Sequence, residues 1–152
     1  GQPGRRYARV GVALEATPAD SPLLAEAIAL ARTHGAELLL LHVVEGVGGQ
    51  WYGARSNDAE SRQDEIYLGE LTTRLTAQLA GTTIPAVSMR LGFGDVKREL
   101  ARLSREAELD LLVVGGHGHR GLSDLMHGET ISGVRHRLDI PILAIKQRKR
   151  TW

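Results

Sequence analysis

Cysteine is absent from this chain, and aromatic residues and long hydrophobic runs are scarce. With no cysteine in 152 residues, disulfides and thiolate metal sites are excluded, and the composition fits a reducing compartment. No apolar run approaches the ~20 residues that span a bilayer, and no signal peptide is recognisable. The net charge of +1 gives no general attraction to nucleic acid. We therefore expect a cytoplasmic protein that has no nucleic-acid partner.

Short apolar segments alternate along the chain with segments of helical periodicity. Strands are predicted at residues 10–14, 38–44, 87–91, 111–114 and 140–145. This βαβαβαβαβ pattern predicts a single doubly wound α/β domain, with a five-stranded parallel sheet and helices on both faces. The domain is expected over residues 7–146, after a loose arm or tag remnant (1–6) and before a basic tail (147–152). A start at Gly1 rather than methionine also fits a piece of a longer protein.

Residues that cap helices mark several boundaries in the sequence. Ser21 is predicted to be an N-cap with Pro22 in the first helical position, and Gly35 to end that helix. Residues 45–57 are predicted to form a long loop before the second helix, which ends at Gly81. Asp95 is the predicted N-cap of the third helix.

The polarity of the third strand helps to choose between two possible strand orders of the sheet. Val87, Met89 and Leu91 alternate with polar side chains, which is typical of an edge strand. Two orders are plausible, 2-1-3-4-5 and 3-2-1-4-5. Only the second places the half-polar strand at an edge and the richest glycine loop beside strand 1, so we favour 3-2-1-4-5. A ligand is then expected in the crevice beyond the carboxyl ends of strands 1 and 4.

The glycine loop after strand 4 reads GGHGHRGLSDLMHGE. Residues 116–121 match G-x-G-x-x-G, but the dinucleotide fingerprint needs that loop after the first strand. No G-x-x-x-x-G-K-[ST] occurs, so a P-loop NTPase is excluded. The remaining pattern is Gly115-x2-Gly118-x9-Gly128. Glycine lets backbone N–H groups approach an anion, and a following helix N-terminus adds partial positive charge.

This spacing resembles the G-x2-G-x9-G-[ST] loop of the universal stress protein (UspA-like) family. The resemblance extends over roughly residues 7–145 and includes His42-Val43-Val44 and the closing LDIPILAI segment. It implies a regulatory or sensor domain that binds an adenine nucleotide, with ATP the first expectation, accompanied by Mg²⁺, and ADP, AMP or a cyclic nucleotide as alternatives. The residues that the resemblance and their positions assign to the nucleotide are Ala13, Glu15, Thr17, Val43, Val114, Gly115, Gly118, His119, Arg120, Gly128, Glu129 and Thr130.

Glu129 departs from the family pattern, because Ser or Thr usually follows the last glycine. A carboxylate repels a phosphate and removes a hydroxyl donor. His119 or Arg120 could partly compensate for this charge, while Thr130 is one residue out of register. The alternative is therefore an interaction module that no longer binds nucleotide.

Partners are expected at the strand from Ile140 to Ile145, an apolar sheet edge that invites pairing with a second copy. The resemblance likewise implies a homodimer through this strand. The Trp51-Tyr52 loop and Gly118-His119-Arg120 also resemble, more loosely, universal-stress-like cytosolic domains fused to bacterial transporters.

Two further functions are weaker alternatives. His117 and His119, with Asp124 and His127, could ligate zinc, copper or nickel, but loop histidines of this kind are typical of the resembled family, and we predict no metal site. No acid is paired with a nucleophile, so no catalytic residue is predicted, and slow ATP hydrolysis is the most that the resemblance implies.

Overall fold

The chain folds around one parallel sheet in the computed structural model, which describes residues 7–45, 54–115 and 128–145. The strands are β1 (Arg9–Ala13), β2 (Glu37–Val44), β3 (Val87–Phe93), β4 (Leu111–Gly115) and β5 (Ile142–Ile145). The helices are α1 (Ser21–His34), α2 (Ala54–Leu79), α3 (Val96–Glu106) and α4 (Gly128–Arg137). The predicted arm and the basic tail lie outside the described residues.

The strand order is β3-β2-β1-β4-β5, and every neighbouring pair is parallel. This confirms the predicted order 3-2-1-4-5 over 2-1-3-4-5. β1 is central, and Val12 pairs with Leu40 of β2 on one side and with Val113 of β4 on the other. The half-polar β3 is an edge strand, as its alternation predicted.

The sheet buries a separate hydrophobic core on each face. One core joins α1 and α2 to the sheet, with Leu38 and Leu40 of β2 fully buried at its centre. The other joins α3 and α4 to the opposite face through residues such as Leu41 and Leu112. The sheet is therefore covered on both sides, which explains why β1, β2 and β4 are apolar along nearly their whole length.

Two predicted helix boundaries were wrong. Ser21 is the first residue of α1 rather than its N-cap, because a 3-10 turn at Pro18–Asp20 precedes the helix and is itself capped by Thr17. The second helix begins at Ala54, inside the predicted loop 45–57. The predicted helix ends at Gly35 and Gly81 and the predicted N-cap Asp95 agree with the structure. Gly35 has the left-handed φ of 63° expected of a helix terminator.

The edge strand β5 leaves apolar surface uncovered in the single chain. Leu143 is 39% exposed, and Ala144 beside it is also exposed. Within the described ranges, no helix is both long and apolar enough to cross a membrane.

Candidate functional site

The carboxyl ends of β1 and β4 form the predicted crevice. The two strands are neighbours, but the helix after β1 packs on one face of the sheet and the fourth helix packs on the other. After these two adjacent strands the chain therefore continues to opposite faces of the sheet, and this divergence leaves a crevice at the strand ends.

Three predicted nucleotide residues lie in one cluster at this edge. Ala13, Val43 and Val114 are all at least 97% buried within the core on the α3 and α4 side of the sheet. They come from three adjacent strands, β1, β2 and β4. Together they form an apolar floor at the carboxyl edge of the sheet.

Six more of the predicted residues belong to the part of the chain that the structure describes. Glu15 and Thr17 follow β1, and Gly115 is the last residue of β4. Gly128 begins α4, so Glu129 and Thr130 belong to its first turn. Gly118, His119 and Arg120 lie outside the described residues, as do the alternative metal ligands His117, Asp124 and His127. The assignment of these residues to a nucleotide stays a prediction.

The loop after β1 is held in shape by a buried carboxylate, Asp20. Its Oδ1 accepts the N–H of Glu15 at 2.8 Å, and its Oδ2 accepts those of Ala16 and Thr17 at 2.9 and 3.2 Å. The backbone turns sharply here, since Ala16 has a left-handed φ of 68°. One side chain thus satisfies three successive amides of a strained turn in the loop that follows β1.

Burial raises the pKa of the Asp20 carboxyl above its usual range, because a charge loses hydration inside the protein. The three backbone N–H donors and the nearby His42 act in the opposite direction. Burial also raises the pKa of the Tyr67 hydroxyl, and the charge of Asp20 adds to this rise, while Arg74 opposes it. The start of α1 and the middle of α2 therefore share one electrostatic environment.

His42 is the second buried polar side chain at this edge, and it is 6% exposed. Its Nδ1 lies 2.8 Å from the carbonyl oxygen of Leu14, and its Nε2 lies 2.8 Å from Oδ2 of Asp64 on α2. The histidine thereby connects the end of β1 to the second helix across the end of β2.

A cavity of about 500 Å³ adjoins this network between the start of α1 and α2. Leu24, Leu71 and Leu75 give it apolar walls, and Asp20, Tyr67 and Arg74 give it polar ones. Among residues 7–45, 54–115 and 128–145, no group of three or more histidine, aspartate or glutamate side chains is arranged to hold a metal ion.

Sequence reasoning missed Asp20, His42 and Asp64 as structural supports of the site. The spacing of Thr17 and Asp20 is that of a capping box, and this pattern could have predicted that Asp20 bonds to the backbone before it. No local pattern joins His42 to Asp64, which are 22 residues apart.

Comparison with known proteins matches residues 6–146 to the Universal stress protein family. Universal stress protein A homolog 2 of Coxiella burnetii is 28% identical over 142 residues, covering 92% of this chain and 95% of the relative. The solved structure of universal stress protein UspA from Lactobacillus plantarum has a TM-score of 0.74 at 20% identity, covering 93% of this chain and 99% of that one.

Two further solved structures carry nucleotides. A universal stress protein in complex with cAMP has a TM-score of 0.56 at 19% identity, and covers 93% of this chain and 98% of its own. The universal stress protein from Archaeoglobus fulgidus in complex with dAMP has a TM-score of 0.59 at 16% identity, covering 93% of this chain and all of that one (100%). At these identities, the likeness shows a shared fold.

Proposed function

The chain belongs to the universal stress protein family, and from that premise we propose that it is a regulatory domain that binds an adenine nucleotide. The observation that carries the proposal is the topology at the ends of β1 and β4, where a loop held by hydrogen bonds to Asp20 follows one strand and α4 comes after the other. Solved relatives of the same fold in complex with cAMP and dAMP support an adenine nucleotide as the ligand class.

The proposed site divides the nucleotide among three regions. Ala13, Val43 and Val114 line the floor below the adenine, since their cluster is the apolar part of this edge. The loop carrying Glu15 and Thr17 faces the ribose, with its backbone preset by Asp20. The backbone N–H groups of the glycine loop and of the first turn of α4 bind phosphate, assisted by the helix dipole. The residues in this last region are Gly115, Gly118, His119, Arg120, Gly128 and Thr130.

Glu129 determines how many phosphates the site accepts. It is the second residue of α4, where the family pattern has a hydroxyl. Its carboxylate repels each added phosphate charge. ATP therefore binds most favourably with Mg²⁺, which offsets part of this charge, while AMP and cyclic nucleotides are affected less.

We predict that Glu129→Ser tightens the binding of ATP by about tenfold and that of AMP by much less, because one nearby negative charge is removed. Isothermal titration calorimetry with ATP, ADP, AMP and cAMP, each with and without Mg²⁺, measures both effects. Glu70→Ser is the matched control, since Glu70 is exposed on α2 and its replacement changes the net charge equally. Equal tightening by both variants would show that only net charge matters.

The same titration decides between the two proposed classes of function. If the wild-type protein binds no adenine nucleotide at millimolar concentration, the nucleotide proposal is wrong. The alternative is then an interaction module, a class that includes the cytosolic regulatory domain of a membrane transporter. The exposed β5 edge favours a protein partner in either case.

For that edge we propose a homodimer, in which β5 pairs with β5 of a second copy. Leu143→Lys should convert the dimer to a monomer, because it places a charge on the apolar edge. Sedimentation equilibrium measures the change. Ile66→Lys is the matched control, since Ile66 is 55% exposed on α2, away from β5, and its replacement should leave the dimer intact. Even a weak dimer should form at a protein concentration of about 0.1 mM. A wild-type protein that stays monomeric at this concentration would contradict the proposal.

A further inference from the structure

The cavity of about 500 Å³ between the start of α1 and α2 lies apart from the proposed nucleotide floor. Its apolar walls, Leu24, Leu71 and Leu75, belong to the core on the α1 and α2 side of the sheet, whereas the floor belongs to the core on the opposite side. Among the described residues that line it, only Thr17 is also assigned to the nucleotide. Its volume falls within the roughly 300–1,000 Å³ of typical small-molecule sites. The cavity is therefore a candidate site for a second ligand.

The positive charge of this cavity comes from Arg74 of α2, which lines it and is exposed. None of the ion pairs formed within residues 7–45, 54–115 and 128–145 involves this guanidinium. Arginine presents its N–H donors in a planar fork that matches the two oxygens of a carboxylate. The described part of the chain therefore leaves these donors available to a ligand.

The negative charge beside the cavity, that of Asp20, is already satisfied by hydrogen bonds. Its Oδ1 accepts one backbone N–H of the loop after β1, and its Oδ2 accepts two more. The side chain is also buried, so it offers little surface to a ligand cation. Tyr67 lines the cavity as well, and burial raises the pKa of its hydroxyl, so this group stays protonated and can donate a hydrogen bond. The available polar groups thus favour an anion.

The charge and the apolar walls of the cavity limit the kind of anion that fits. Arg74 is the only lysine or arginine among the described lining residues, which suits one negative charge better than a phosphate or polyphosphate group. The three leucine walls favour the burial of hydrocarbon. We propose that the cavity binds a small amphipathic carboxylate, whose carboxylate group pairs with Arg74 and whose hydrocarbon body packs against the leucines. This site is separate from the proposed nucleotide site and does not depend on it.

Octanoate is a suitable probe, because it joins one carboxylate to a hydrocarbon chain. Octanamide keeps the chain without the charge, and octylamine reverses the charge. Octanoate should bind the whole chain with a Kd of about 1 mM. Octanamide should bind about fivefold more weakly, as expected for the loss of an exposed ion pair, and octylamine most weakly of the three. In NMR titrations, the amides of Ser21, Tyr67 and Leu75 should shift, while those of Val43 and Val114 should not.

Two variants of Arg74 and one control test the ion pair. Arg74→Gln should weaken octanoate about fivefold and leave octanamide unchanged, a difference that a general loss of structure would not produce. Arg74→Lys keeps the charge and should retain most of the preference for octanoate. Arg62→Gln is the matched control, because Arg62 is exposed on the same helix, about 18 Å from Arg74 along its axis. Its replacement changes the net charge equally and should leave both affinities unchanged.

Competition with AMP distinguishes this site from the proposed nucleotide site. Saturating AMP should leave the octanoate shifts in place, whereas an octanoate affinity that falls in proportion to the AMP concentration would put both ligands in one crevice and overturn the inference. Equal affinities of the wild type for octanoate and octanamide would also overturn it, as would the absence of any octanoate shift up to about 10 mM. If AMP does not bind at all, the proposed function fails, and the octanoate series still decides this inference.

Discussion

Replacing Asp20 with alanine should lower the free energy of unfolding by about 3 kcal/mol, because a buried backbone donor left without a partner costs about 1–3 kcal/mol. The carboxylate accepts the N–H groups of three residues, Glu15, Ala16 and Thr17. Ala16 is buried, so its amide cannot turn to water without moving the loop. The amide of the exposed Thr17 can bond to water instead. The expected loss of stability is therefore smaller than the cost of three unsatisfied donors.

Asp95→Ala is the matched control for this prediction. Asp95 also caps a helix, but it is exposed and accepts a single backbone N–H, that of Arg98 at 2.9 Å. Its removal should cost about 1 kcal/mol, as for an ordinary N-cap. Urea unfolding followed by circular dichroism gives both values. Equal losses in the two variants would mean that Asp20 acts as a simple cap and does not hold the loop.

Gly11→Ala should also destabilise the fold, by about 2 kcal/mol, because the added methyl group overpacks the core against Leu109. Gly11 lies in the central strand, where a Cβ atom would overlap Cδ1 of Leu109 and lie 3.3 Å from its Cδ2. Leu109 is 4% exposed and belongs to the core on the α3 and α4 side, so it has little room to withdraw. Thermal and urea unfolding measure the loss.

The same substitution at Gly69 should have the opposite sign. Gly69 lies within α2, and a Cβ atom there meets nothing within 4 Å. Gly69→Ala should therefore stabilise the protein by about 0.5–1 kcal/mol, the usual gain from replacing a helical glycine.

In a Leu109→Ala background, Gly11→Ala should lose most of its penalty, since the space is then available. If Gly11→Ala destabilised this background as much as it does the wild type, a clash with Leu109 would not be the cause of the loss.

Hydrophobic periodicity was sufficient to predict the architecture of this domain. The continuous apolar runs of β2 and β4 predicted strands buried on both faces, and the structure places both inside the sheet. The alternation around Arg90 predicted an edge strand, which in turn selected the correct strand order. These predictions were confirmed because a strand buried on one face alternates apolar and polar side chains, whereas a strand buried on both faces is apolar throughout.

The helix boundaries were less predictable from local patterns. Ser21 and Asp20 are both good capping residues, and the structure starts α1 at Ser21 because the capping box of Thr17 and Asp20 forms one turn earlier. The beginning of α2 at Ala54 was missed because its first turns carry no apolar stripe. A helix that starts in a polar segment has no periodic signal to mark it.

The sequence by itself determined the family, the order of the strands and the edge at which a ligand is expected, since each depends on local patterns and on the spacing of glycines. Only the tertiary structure showed what holds that edge together. Asp20 reaches back to three amides of its own loop, and His42 bridges Leu14 to Asp64. His42 and Asp64 are 22 residues apart on different elements, and their contact exists only because the sheet and α2 pack face to face.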